Sequence, residues 1–66
     1  LGGLKPSEVE FLKTYYDSDM SLKAAAEKLF LHVNTVQQRL NRIAGKTGMN
    51  PRNFQDAVLF WLAMHV

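Results

Sequence analysis

The feature that most constrains this chain is that it is short and contains no cysteine. With 66 residues it forms one domain at most, and a domain of that size buries only about 60% of the surface that its unfolded chain exposes. Without cysteine, neither a disulfide nor a thiolate metal site can stabilise the fold. A compact apolar core must therefore supply the stability unaided.

Apolar residues recur at helical spacing along the chain, and several segments carry their own start signal. Pro6 is tolerated in a first helical turn, and Ser21 and Asn53 are suited to cap the helices that follow them. We expect helices at residues 6–17, 22–29, 33–44 and 54–65, with residues 1–5 as a linker or cloning remnant and residues 6–66 as the domain. No strand pattern is convincing, so the sequence predicts an all-α, four-helix domain.

The two middle helices predict a helix-turn-helix unit. Only residues 30–32 separate them, so they must pack directly against each other. Ala26 provides the small side chain that a close helix crossing needs, and Val36 and Leu40 lie on the inner stripe of the third helix. In such a unit the first helix crosses the DNA backbone and the second enters the major groove. The spacing alone also occurs in helical bundles that do not touch DNA.

The polar face of the third helix favours DNA binding. At about 100° per residue, Asn34, Gln38 and Asn41 lie together, opposite the inner stripe. Amide side chains make paired donor and acceptor contacts with adenine in the major groove. An ordinary exposed helix mixes glutamate with lysine, whereas this helix contains no acidic residue. Gln37 lies at the margin of this face and reaches either a base edge or a phosphate, so the candidate base contacts are Asn34, Gln37, Gln38 and Asn41.

Charge is distributed unevenly. Residues 1–30 contain four lysines against five acidic residues, and the remainder contains four basic residues against one acidic residue. From Lys28 to Gln55 there are five basic residues and no acidic one, an excess that attracts a polyanion but equally fits a solvated surface. His32 either caps the third helix or meets a phosphate. The candidate phosphate contacts are Ser21, Lys28, His32, Thr35, Arg39, Arg42 and Lys46.

These residues resemble the C-terminal domain of PucR-like regulators, a family that includes purine-catabolism and carbohydrate-diacid regulators. The most specific motifs are LHVNTV at residues 31–36, RL at 39–40, RI at 42–43 and TG at 47–48. The resemblance covers residues 9–64. It implies a four-helix fold similar to the C-terminal domain of the factor for inversion stimulation. It also implies a longer bacterial, cytoplasmic regulator that binds double-stranded DNA as a homodimer and meets a small-molecule effector only through upstream domains.

The chain departs from the family pattern at two places. Gln38 stands where the family usually has tyrosine, an aromatic that could pack on the DNA backbone. Ala44 and Gly45 replace a longer helical continuation with glutamate, which could end the third helix early. Phe30 occupies the turn position where many helix-turn-helix units outside this family use glycine. If Phe30 has a positive φ, the strain is about 1 kcal/mol.

The last helical segment, residues 54–64, is apolar on nearly all sides, so its helix is either deeply packed or part of an interface. Phe60, Trp61 and Met64 fit a core and a dimer contact about equally well. This segment motivates a second hypothesis, in which the domain is a protein-interaction or dimerisation module that makes no DNA contact.

The sequence lacks the residue patterns that other classes of function require. The Gly-Lys-Thr triplet at residues 45–47 has Leu40 where a phosphate-binding loop needs another glycine, and no strand precedes it. His32 and His65 have no ligand-type partner at helical spacing, and the chain offers little room for a catalytic pocket. No apolar run approaches the roughly 20 residues that span a bilayer. We therefore expect no enzyme activity, no metal, no cofactor and no membrane partner.

Overall fold

Four helices make up the part of the chain that the structure describes, and no strand occurs within it. The structure is a computed structural model that describes residues 3–64. Helix α1 spans Pro6–Asp17, α2 spans Leu22–Leu29, α3 spans Val33–Thr47 and α4 spans Phe54–Met64. The predicted all-α, four-helix class is confirmed. The bounds of α1 and α2 agree with the expected ones, and the expected end of the fourth helix at residue 65 lies outside the described residues.

Helix α1 is closed at both ends by side chains. At its start, the carboxylate of Glu8 accepts the backbone N–H of Lys5 at 2.9 Å. At its end, the hydroxyl of Ser18 donates to the carbonyl of Thr14 at 2.7 Å. The chain then reverses through Asp19 and Met20, whose φ angles of 56° and 60° are both left-handed. Because each such residue costs roughly 1–2 kcal/mol, this turn is held by the packing of α1 and α2 rather than by local preference.

Helix α2 begins and ends as the sequence suggests. The predicted cap is confirmed, because the Ser21 hydroxyl accepts the N–H of Ala24 at 3.2 Å. The helix terminates at Phe30, which has a φ of 57° and is strained by about 1 kcal/mol because its Cβ crowds the backbone. The N–H of Leu31 then donates to the carbonyl of Ala26 at 2.9 Å. This bond completes a tight turn between α2 and α3.

Helix α3 is longer than the sequence predicts. The expected end at residue 44 is wrong, since the helix continues to Thr47. Gly45 lowers helix stability by only about 1 kcal/mol relative to alanine, and the buried Ile43 holds this part of the helix on the core. The Thr47 hydroxyl donates to the carbonyl of Ile43 at 2.9 Å. The helix is capped instead by Gly48, which has a φ of 71° and donates its N–H to the carbonyl of Ala44.

The core lies where α2 packs against α3 and where α1 packs against both α2 and α4. Ala25 and Ala26 are 0% and 4% exposed, and their small side chains let α2 approach its neighbours closely. Phe60 is the residue of α4 that joins this cluster. The buried members are Phe11, Leu12, Tyr15, Ala25, Ala26, Val36, Leu40, Ile43 and Phe60.

Helix α4 buries one side and exposes the other. Phe60 is a core residue, Met64 is partly buried against the core, and Trp61 remains 40% exposed. The rings of Trp61 and Tyr16 meet edge to face, with centroids 6.5 Å apart. The large apolar side chains left in contact with solvent on α4 are Phe54, Val58, Leu59, Trp61 and Leu62.

The loop before α4 is fixed by hydrogen bonds. Asn53 caps the helix as predicted, with its Oδ1 accepting the N–H groups of Gln55 and Asp56. The hydroxyl of Tyr16 donates to the carbonyl of Pro51 at 3.0 Å. Burial raises the pKa of Tyr16, so this hydroxyl remains a neutral donor. The start of α4 is thereby tied to α1.

Candidate nucleic-acid interface

The outward face of α3 carries the amide side chains that the sequence singled out. Asn34, Gln38 and Asn41 are exposed, while Val36, Leu40 and Ile43 on the opposite side are at most 1% exposed. Gln37 is also exposed. Three buried apolar residues thus hold an exposed amide face at the surface, with the donors and acceptors that base edges require.

His32 caps the start of this helix. Its Nδ1 accepts the backbone N–H of Asn34 at 3.1 Å, so the capping role is confirmed, while the phosphate contact stays a prediction. A neutral imidazole whose Nδ1 accepts a hydrogen bond carries its proton on Nε2. Because His32 is exposed, this Nε2–H remains able to donate to an anionic oxygen beside the amide face.

A cationic flank borders the amide face, and we use this name for Arg39, Arg42 and Lys46. Arg39 and Arg42 are exposed, and the Lys46 side chain is 34% exposed. The Arg39 guanidinium carbon lies 5.8 Å from the centroid of the Phe11 ring, within range of a cation–π interaction that orients the arginine. Thr35 lies at the N-terminal end of this flank and is half-buried.

Lys46 is held by an acidic residue that the sequence analysis did not connect with it. Its Nζ lies 2.8 Å from Oε1 of Glu8, and the same oxygen accepts the N–H of Lys5. The hydrogen bond from Lys46, followed by the one from Lys5, lowers the pKa of Glu8. The two partners are 38 residues apart, and no local pattern in the sequence relates them. Glu8 therefore ties the first turn of α1 to the last turn of α3 and offsets one charge of the cationic flank.

The first turn of α1 and the cationic flank enclose a shallow cleft of about 390 Å³. Lys5 and Ser7 belong to its lining and were not recognised from the sequence. Their position becomes visible only when α1 is placed beside α3. The remaining lining residues are Glu8, Phe11, Arg39, Arg42, Ile43 and Lys46.

Ser21 and Lys28, the two predicted phosphate contacts of α2, stand at opposite ends of that helix. The Ser21 hydroxyl oxygen accepts the capping bond described above and retains its own proton for a further acceptor. The Lys28 ammonium donates to the carbonyl of Asp17 at 3.3 Å. Both residues are exposed, so together they present a hydroxyl and a cation outside the amide face.

A family model matches this chain, in which α2 and α3 form a helix-turn-helix unit and α3 has a polar outward face. The model of the PucR C-terminal helix-turn-helix domain matches residues 9–66. The chain belongs to this family. The resemblance stated from the motifs is confirmed, and the PucR domain is the helix-turn-helix, DNA-binding part of bacterial transcription regulators rather than an enzyme.

Relatives of this PucR domain occur in several bacteria. An uncharacterized protein of Mycobacterium tuberculosis is 41% identical over 61 residues, which are 92% of this chain and 15% of that protein. The carbohydrate diacid regulator of Escherichia coli is 34% identical over 55 residues, covering 83% of this chain and 14% of the regulator. A Bacillus subtilis protein is 32% identical over 54 residues, with 82% and 15% covered. The chain thus spans about a seventh of these relatives, and no solved structure matches it.

The other sites considered from the sequence are not formed by residues 3–64 of this PucR domain. Residues 45–47, the Gly-Lys-Thr triplet, form the last turn of α3, whereas a phosphate-binding loop precedes a helix. Within residues 3–64, no three histidine, cysteine, aspartate or glutamate side chains come together as a metal site requires. His65 lies outside the described residues. Among the described helices, none has the length and apolar character needed to cross a membrane.

Proposed function

We propose that this domain binds double-stranded DNA sequence-specifically, with α3 in the major groove. The observation that supports this most directly is the exposed amide face, which contains no acidic residue and is bordered by the cationic flank. A helix in the major groove needs donors and acceptors toward the bases and positive charge toward the phosphates. The outward side of α3 offers both along one helix.

Roles follow from the position of each side chain. The amides of Asn34, Gln38 and Asn41 contact base edges, because they project from the side of α3 opposite the core. Gln37, at the margin of this face, contacts a base edge or a phosphate. Groups around this face contact phosphates and fix the register of the domain on the duplex. The phosphate contacts are Ser21, Lys28, His32, Thr35, Arg39, Arg42 and Lys46.

The domain works as part of a longer cytoplasmic regulator that binds DNA as a homodimer. The carbohydrate diacid regulator of E. coli is a relative that is much longer than this chain, which covers 14% of it. In a dimer, two α3 helices about 34–36 Å apart would read two half-sites one helical turn apart. A small-molecule effector would act through other domains of that regulator, and no cofactor enters the proposed role.

Titration with duplex DNA from directly upstream of the gene that encodes this chain tests the proposal. Arg39→Ala removes a phosphate contact, so it should weaken binding to all sequences and reduce the salt slope by about one unit. Asn34→Ala removes a base contact, so it should cost about 1–3 kcal/mol on the specific duplex alone. Fluorescence anisotropy over a range of salt concentrations measures both effects.

Matched controls lie elsewhere on the surface. Lys13→Ala on α1 removes one positive charge outside the cationic flank, and Gln55→Ala on α4 removes one exposed amide. Both controls should leave the specific affinity and the salt slope nearly unchanged. Equal binding by the wild type, Arg39→Ala and Asn34→Ala would contradict the proposal.

A second candidate function is a protein-interaction or dimerisation module without DNA contact. It is favoured by the apolar residues exposed on α4, of which Phe54 is 76%, Leu59 55% and Leu62 54% exposed. This function predicts concentration-dependent association in sedimentation and no change when duplex is added. A monomer that binds duplex would exclude it.

A further inference from the structure

Phe30 combines two unfavourable features at one position. Its side chain is 95% exposed, the highest value among the large apolar residues described on the surface. Its backbone is also left-handed, with a φ of 57°, a conformation that residues with a Cβ rarely adopt. The position thus places an aromatic ring in water on a strained backbone.

Packing inside the domain does not explain this ring. Leu29 and Leu31, the neighbours on either side, are partly buried against the core, whereas Phe30 contributes almost no buried surface. Glycine would adopt the same φ without the crowding of a Cβ. Strained, exposed backbone is found preferentially at functional sites, so the role of the ring is to be sought outside the domain.

The place of Phe30 in the fold indicates which partner meets it. Phe30 ends α2 and comes two residues before His32, the cap of α3. When a helix-turn-helix unit docks, α2 crosses the phosphate backbone and the start of α3 enters the groove. The turn between them then lies at the rim of the major groove. Lys28 and His32 flank the position, and no acidic residue occurs from Lys28 to Gln55, which suits a polyanion.

We propose that the Phe30 ring packs against the apolar part of DNA at that rim, on a deoxyribose ring or on a thymine methyl group. This inference rests on the function proposed above. A side chain at the groove edge can reach both surfaces. Burying roughly 60 Å² of apolar surface corresponds to about a tenfold change in Kd. Because the ring is uncharged, the contact releases no counterions and adds affinity without adding salt dependence.

Phe30→Gly tests this contact, titrated into the upstream duplex beside the wild type. We expect a Kd about tenfold weaker with an unchanged salt slope, together with a Tm that is unchanged or higher by a few degrees. Phe30→Leu keeps an apolar side chain at the same φ and should recover part of the lost affinity. Wild-type affinity in Phe30→Gly overturns the proposal, and so does a weaker affinity accompanied by a lower Tm.

Asp19→Gly is the matched control for backbone strain. Asp19 is exposed and has a φ of 56°, but it lies in the turn before α2 and carries no aromatic ring. This variant should change Tm in the same direction as Phe30→Gly and should not weaken binding. A loss of affinity in Asp19→Gly equal to that in Phe30→Gly would attribute the effect to backbone conformation and overturn the contact.

Duplexes in which uracil replaces thymine distinguish the two DNA surfaces. If the ring meets a thymine methyl group, uracil weakens binding of the wild type but not of Phe30→Gly. If it meets deoxyribose, uracil changes neither, and the difference between the two proteins persists. A wild type that binds no duplex defeats the proposed function itself, whereas a wild type that binds equally to Phe30→Gly defeats only this inference. Loss of self-association without loss of duplex binding would assign Phe30 to a protein contact and overturn the inference as well.

Discussion

Helices α3 and α4 both bury one side in the same core, and their outward sides differ in chemistry. The outward side of α3 carries amides and cations, while that of α4 carries mostly large apolar residues. Exposed polar side chains are well hydrated, and they give up this hydration only in exchange for a polar partner. Exposed apolar surface, by contrast, is stabilised only when it is removed from water. The outward sides, rather than the buried ones, therefore carry the information about partners.

The largest expected effect compares one leucine from each helix. Leu40 on α3 is 1% exposed and Leu62 on α4 is 54% exposed. Leu40→Ala should lower the free energy of unfolding by about 2–5 kcal/mol, because it removes buried contacts and leaves a cavity. Leu62→Ala should lower it by less than about 1 kcal/mol. Thermal and denaturant unfolding followed by circular dichroism measures both; equal losses would show that the solvent side of α4 is packed in solution.

An intermediate effect compares two glycines near the end of α3. A Cβ at Gly45 meets open space, so Gly45→Ala should stabilise the helix by about 1 kcal/mol. Gly48 has a φ of 71°, so Gly48→Ala should destabilise the domain by about 1 kcal/mol because alanine is strained there. Opposite shifts in Tm support the bounds of α3 given above. Destabilisation by Gly45→Ala would indicate that the helix ends at residue 44.

The smallest expected effect concerns the ion pair that joins α1 to the cationic flank. The pKa of Glu8 is lowered from its ordinary value of 4.5 by Lys46 and by the N–H of Lys5. The Glu8 carboxylate therefore stabilises the fold fully at pH values above 4.5, and this stabilisation is lost as the pH falls through the lowered pKa. We expect wild type to exceed Glu8→Gln in stability at neutral pH, with the difference vanishing in acid. Unfolding curves at several pH values measure it.

Glu10→Gln is the control for this ion pair. Oε1 of Glu10 lies 3.8 Å from Nζ of Lys13, and both side chains are exposed. Removal of the Glu10 carboxylate should therefore leave the free energy of unfolding nearly unchanged at every pH. A difference between wild type and Glu8→Gln that persists in acid would contradict the assignment to the carboxylate.

Local chemistry made much of the fold and of α3's polar face predictable. Ser21 and Asn53 start helices by bonds within a few residues, and the polar and apolar sides of α3 are separated by helical periodicity alone. The end of α3 was not predictable, because Gly45 resembles a stop signal, whereas the helix continues past it to Thr47 and its last turn contacts α1. The pair of Glu8 and Lys46 depends on the approach of two distant helices. The buried side of α4 could not be predicted, because a segment that is apolar on nearly all sides shows no helical periodicity of polar and apolar residues.

Ala25 and Ala26 also set the conditions under which α2 and α3 meet a ligand. With 0% and 4% of their surface exposed, these methyl groups leave no room for a longer side chain between the helices. The separation between the polar groups of α2 and those of α3 is accordingly fixed before any encounter. A rigid, preorganised surface loses little conformational entropy on association. Replacing either methyl group by a larger one would shift the two sets of groups out of register with each other while leaving every one of them in the sequence.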